Sequence, residues 1–177
     1  MRVRQFQNEY LKEPAIVTYV TPDRFIADAQ RTPVILNAFI GDLSSERAME
    51  AKDGPDGWSV VEVVCHLRDF EGFFRGRVEL MLAQATPALP RYDHEALAIE
   101  RDYQHQNLME VFTDLLSKRI AFLELFESLT PEQFSRTGMH PESGSISVFD
   151  ALVQLIHHDL THLDQIARCL GLSDRLL

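Results

Sequence analysis

Two histidines, His158 and His162, stand four positions apart in an apolar stretch near the C-terminal end of the 177-residue chain. At helical pitch that spacing puts both imidazoles on one face, one turn apart, where they can converge on a single ion. The same face carries Ala151, Leu155, Gln165 and Cys169, so it points into the fold and away from bulk water. A third histidine, His66, lies beside the apolar stripe of an earlier helix, at a depth that antiparallel packing brings opposite the pair. Three neutral imidazoles suit a divalent transition ion, zinc or nickel first. Spacing alone fits equally well with histidines hydrogen-bonded inside a core, since pairs one turn apart also arise by chance.

The other polar candidates are weaker. The residue four positions beyond His157 is Thr161, and His157 points about 100° away from the His158 face. His94, His105 and His140 fall at or near expected helix ends without a partner at ligand spacing, which reads as exposed or capping. Asp159-Leu160-Thr161 between the paired histidines lacks the glutamate of a His-Glu-x-x-His metalloprotease. Asp69 and Gln165 each lie about one turn beyond a candidate ligand; either orients an imidazole or contacts substrate, or is an interhelical or solvated polar residue. Trp58 reads as an aromatic packed on the end of the bundle. Cys65 and Cys169 are not in a Cys-x-x-Cys pair and read as buried free thiols.

Four stretches with helical apolar spacing position these residues, and no sheet-length alternation accompanies them. The first starts at Thr21-Pro22-Asp23 and runs to about Gly41, with a kink or break expected at Pro33. The second opens at a capping box, Ser59 to Glu62, and runs to about Gln84 on the stripe Val63, Leu67, Phe70, Phe74 and Met81. The third is expected as one long helix from near Asp93, with Leu108, Phe112, Leu115, Phe122 and Leu125 on its core face. A short helical turn at Thr130-Pro131 and irregular structure from Gly138 to Gly144 lead to the last helix, Ser147 to Gly171. The expectation is an all-α domain spanning 1–177, an antiparallel four-helix bundle in up-down-up-down order. Residues 1–20 form an N-terminal arm, whose apolar Ile16, Val17, Tyr19 and Val20 are expected to cover core or subunit surface.

Composition narrows the classes of function. A hydrophobic fraction of 45% supports a full core without disulfides. The net charge of -10 has the wrong sign for a phosphate backbone, so no nucleic acid partner is expected. No run approaches the roughly 20 apolar residues of a membrane span, and the start lacks a signal-peptide core. The expected setting is the cytoplasm.

The segment Gly57-Trp58-Ser59 to Glu62 and on to His66-Leu67 resembles the second helix of the DinB/YfiT-like superfamily of metal-binding four-helix bundles. His140-Pro141-Glu142-Ser143-Gly144, followed by His158 to His162 and Gln165, is similar to that family's last loop and helix. The two matches come in the family's order, cover roughly residues 22 to 171, and map its three ligands onto His66, His158 and His162. Many relatives follow the final ligand with Arg-Gly-Gln, where this chain has Leu163-Asp164-Gln165. The resemblance implies a metal-dependent enzyme on a small-molecule substrate, working by thiol S-transfer, with a low-molecular-weight thiol, or by hydrolysis. The alternative is a non-catalytic metal-binding stress-response module that forms a homodimer.

Overall fold

Three of the four long helices begin at a side chain that satisfies the free amides of a first turn. Ser59 and Ser147 close reciprocal capping boxes with Glu62 and Asp150, and Asn107 accepts from the amides of Met109 and Glu110. Thr21 occupies the fourth such position, but its side chain makes no capping bond. The computed structural model describes residues 20–172; the arm expected over 1–20 lies, apart from Val20, outside them. The helices are α1 (Pro22–Ile40), α2 (Ser45–Glu50), α3 (Val60–Ala83), α4 (His94–Glu100), α5 (Leu108–Glu127), α6 (Pro131–Phe134) and α7 (Val148–Cys169). Two short strands, β1 (Thr137–His140) and β2 (Gly144–Ser147), precede α7.

The four long helices, α1, α3, α5 and α7, form a bundle, but not in the up-down-up-down order expected. One end of the core gathers Leu36 and Ile40 of α1, Val60 to Leu67 of α3, Leu108 to Leu115 of α5, and Leu163 to Cys169 of α7. The other end gathers Ile26, Phe74, Phe122 and Leu152. Helices α1 and α7 therefore run one way and α3 and α5 the other, giving up-down-down-up. The cause is the connection 84–107, which travels back along the bundle and starts α5 at the end where α3 started. Around the bundle, α3 contacts α5 and α7, and α1 contacts α7 and α5. The pairs α1/α3 and α5/α7 lie across the diagonals.

That crossover also breaks the long helix expected from Asp93. Helix α4 stops at Glu100, Asp102 takes a left-handed conformation at φ 48°, and a 3-10 turn spans Tyr103–His105 before α5 begins. The break buries Tyr103, whose hydroxyl donates to Asp69, while Arg101 and Arg68 pair with the same carboxylate. Where irregular structure was expected after Gly138, β1 and β2 form an antiparallel hairpin. Four-residue strands leave too little alternation to detect. Gly138 lets the hairpin sit tightly: a Cβ there would lie 2.9 Å from both Leu89 and Met81 side-chain carbons.

A kink or a break was the expectation at Pro33, and helix α1 runs through it without a break. Proline removes the amide that would bond to the carbonyl four residues back, here Ala29, and Arg119 Nη1 donates to that carbonyl at 2.8 Å. Arg119 is buried in the centre of the bundle. It also donates to Thr32 Oγ1 (2.9 Å), to Asp159 Oδ2 (2.7 Å) and to Glu71 Oε1 (2.8 Å), joining all four long helices. This polar layer separates the two apolar clusters. Burial pushes the Glu71 carboxyl above its ordinary range, only partly opposed by Arg119.

Candidate metal centre

The antiparallel contact of α3 with α7 brings His66 against His158 and His162. Their ring centroids lie 4.9 Å and 4.6 Å from that of His66, and 4.5 Å from each other. His66 Nε2 and His158 Nε2 are 2.9 Å apart. One ligand atom from each of the three residues falls within 4.8 Å of the others. His162 Nδ1 donates to Gln165 Oε1 at 2.7 Å, which puts the hydrogen on Nδ1 and leaves the Nε2 lone pair free. Gln165 makes the hydrogen bond expected of a residue that orients an imidazole, and it also lines the cavity above the histidines. Asp69 goes the other way: its carboxylate faces Arg68, Arg101 and Tyr103, and it is an interhelical anchor for the crossover.

The electrostatics keep the three imidazoles neutral. Burial, reinforced by the neighbouring histidines, pushes the His66 pKa down to about 2, and burial with His162 takes His158 down to about 3. His162 is lowered as well, by burial, against the opposing hydrogen bond to Gln165. Neutral imidazoles are the form that ligates a metal. Nitrogens at about 2.0–2.1 Å from one ion lie about 3.3 Å apart in tetrahedral geometry, well inside the 4.8 Å envelope. The donor set therefore fits one divalent ion with three protein ligands. His66 Nδ1 is buried without a partner, so this imidazole lacks the outer hydrogen bond that His162 has and is held by packing on Trp58 and Phe70.

The triad sits at the floor of a cavity of about 520 Å³. Its walls include Trp58, Phe70 and His94, and its rim Asp56 and Glu95. Trp58 was read as packing on the bundle end; its ring lies 5.1 Å from that of His66 and 5.9 Å from that of His94. His94 had no partner at ligand spacing, and no sequence signal could place it here, because the crossover folding back over α3 delivers it. The remaining histidines stay outside the cavity. His105 pairs with Asp102, His140 accepts from the amides of its own hairpin turn, and His157 is exposed. Cys65 and Cys169 are buried free thiols, as expected, donating to the carbonyls of Tyr103 and Trp58. No helix among the described residues is long and apolar enough to cross a membrane.

A protein of Oceanobacillus iheyensis, provisionally named a metal-dependent hydrolase, is 30% identical over 154 residues, covering 85% of this chain and 86% of its own. The YfiT protein of Bacillus subtilis, provisionally named in the same way, is 25% identical over 155 residues, 85% of this chain and 86% of the relative. The solved structure of Bacillus subtilis YfiT, described as having an unusual four-helix bundle topology, superposes with a TM-score of 0.77 at 24% identity, over 99% of this chain and 93% of that one. The mycothiol-dependent maleylpyruvate isomerase shares the fold at a TM-score of 0.68 and 7% identity, over 82% of this chain and 60% of its own. The family model of the DinB superfamily matches residues 28–166, and the chain belongs to that superfamily.

Proposed function

We propose that this protein is a metal-dependent enzyme acting on a small molecule, with His66, His158 and His162 as the ligands of one divalent ion, zinc or nickel. The observation that carries the reading is the convergence of three neutral imidazoles on the floor of an open cavity. Structural zinc sites close with four protein ligands, whereas three leave a coordination position for chemistry. When bound, the ion acidifies a water or a low-molecular-weight thiol, supplying a nucleophile near neutral pH for hydrolysis or thiol S-transfer.

The chain's own residues supply placement. Gln165 fixes the tautomer and tilt of His162. Phe70 stacks on His158, with centroids 5.1 Å apart, and limits how its ring can turn. Trp58 and Phe70 give an apolar wall against which a substrate body can exclude water. Elemental analysis of the purified protein beside a His158→Ala/His162→Ala variant tests the reading. Near-stoichiometric metal in the first and none in the folded second supports it; equal metal content in both rejects it. Ester, amide and thiol-transfer panels on the loaded protein then separate the two chemistries.

One observation favours the alternative of a non-catalytic metal-binding homodimer. An apolar furrow of about 430 Å³ runs between α1 and α5, where Val34 and Ile120 are 69% and 60% exposed. Metal retention without turnover on the panels, in a protein that sediments as a dimer, would support that reading.

A further inference from the structure

The floor and the rim of the cavity carry opposite chemistry. The floor is the histidine triad, buried at His66 and half-buried at His158 and His162, which with a divalent ion is positive and takes an electron-rich sulfur or oxygen. The rim carries two exposed carboxylates, Asp56 and Glu95. Among the described residues no lysine or arginine lines the cavity. Among the described residues Asp56 has no partner, and the neighbour of Glu95 is His94, Nε2 to Oε1 at 3.7 Å. The arginines on the adjoining elements are already paired, Arg168 with Asp53 and Asp164, and Arg101 with Asp69. Among the described residues nothing at the mouth neutralises these two charges.

Between rim and floor stands the indole of Trp58, with Phe70 deeper. Carboxylates beside an aromatic face make a setting for an ammonium group, which the carboxylates attract through charge and the ring through its quadrupole. The same rim repels a phosphate or a dicarboxylate, and the overall charge of -10 adds to that bias at long range. We infer that the cavity selects a small molecule bearing a protonated amine a few bonds from its metal-seeking sulfur or oxygen, with the amine held among Asp56, Glu95 and the face of Trp58. The inference rests on the metal reading for the floor; the rim chemistry stands on its own residues.

Trp58 is the single tryptophan of the chain, so its fluorescence reports on this cavity alone. The experiment titrates zinc-loaded protein, its zinc content measured beforehand, with three thiols of similar size: cationic cysteamine, neutral 2-mercaptoethanol and anionic 3-mercaptopropionate. Cysteamine is expected to bind about tenfold more tightly than 2-mercaptoethanol, with 3-mercaptopropionate weakest. The spread should shrink between about 20 and 500 mM salt, as screening of exposed charge requires. An Asp56→Asn/Glu95→Gln variant, altered only at exposed positions, should keep its zinc and bring the first two thiols within about twofold of each other. That control also separates the rim from the greater acidity of the cysteamine thiol. Equal affinities in the unaltered protein, or a preference that survives in the variant, overturn the inference. A protein that takes up no zinc rejects the metal reading instead, and the two failures are distinguishable.

Discussion

Replacing Arg119 by methionine should reveal how much of the fold hangs on one guanidinium. The side chain is 4% exposed and bonds to Glu71, Asp159, Thr32 and the Ala29 carbonyl, one partner or more on each of the other long helices. Methionine keeps much of the volume but leaves the buried Glu71 carboxylate without a donor, Asp159 with only the Thr32 hydroxyl, and the Ala29 carbonyl without its guanidinium. Breaking a buried ion pair in this way costs about 3–5 kcal/mol, against total stabilities of about 5–15 kcal/mol. The loss should depend on pH with a definite sign. The Glu71 carboxyl is already raised by burial, and the pairing with Arg119 is what opposes the rise. Without it the folded pKa climbs further above the unfolded value of about 4.3. A raised folded pKa contributes stability below the unfolded pKa that is lost as pH rises through the folded one. Urea titrations followed by circular dichroism should therefore show a larger deficit at pH 8 than at pH 5. Adding Pro33→Ala restores an amide to the Ala29 carbonyl, and should recover about 1 kcal/mol more in the Arg119→Met background than in the unaltered protein. A deficit under 1 kcal/mol, unchanged between the two pH values, would refute the reasoning.

Three further outcomes are expected. In chelator-stripped protein the lowered pKa values of His66 and His158 mean that the unfolded chain binds protons first; stability present above about pH 6.5 should fall toward pH 4 by about 1.4 kcal/mol per pH unit for each histidine. Urea midpoints across that range check it, and a flat profile contradicts neutral buried imidazoles. Gln165→Leu removes the acceptor for His162 Nδ1 and should weaken zinc about 10- to 100-fold in chelator competition, with thermal stability of the metal-free protein little changed. Gly138→Ala forces a methyl against Leu89 and Met81 and should cost about 1–3 kcal/mol, read as a lower midpoint in urea; an unchanged midpoint would show that the hairpin can shift freely.

Local chemistry made much of this legible in advance. The boxes at Ser59, Thr130 and Ser147 mark helix starts because the bonds they form reach only three residues along the chain, and such signals survive in a linear reading. The pair His158 and His162 is visible for the same reason. The chain's order through space was not legible, since nothing in residues 84–107 announces a path back along α3. His94, Glu95 and Trp58 reach the cavity through that path and through the turn before α3, so their place there is a property of the tertiary arrangement. That α1 runs unbroken through Pro33 was not legible either, because the compensating donor, Arg119, lies 86 positions away in sequence.

The diagonal placement of α1 against α3 and of α5 against α7 bears on how the molecule comes to exist at all. Neither half of the chain owns an extensive interface between its two long helices; each long helix finds its long neighbours in the other half. His66 belongs to the first half, and His158 and His162 to the second. A nick in the crossover would leave two pieces with no core to form separately, and capture of a metal ion by the mixture would report their reunion. Contacts so far apart in sequence also favour slower closure than a bundle of successive hairpins, with no early half-formed species able to hold an ion in the complete three-histidine site.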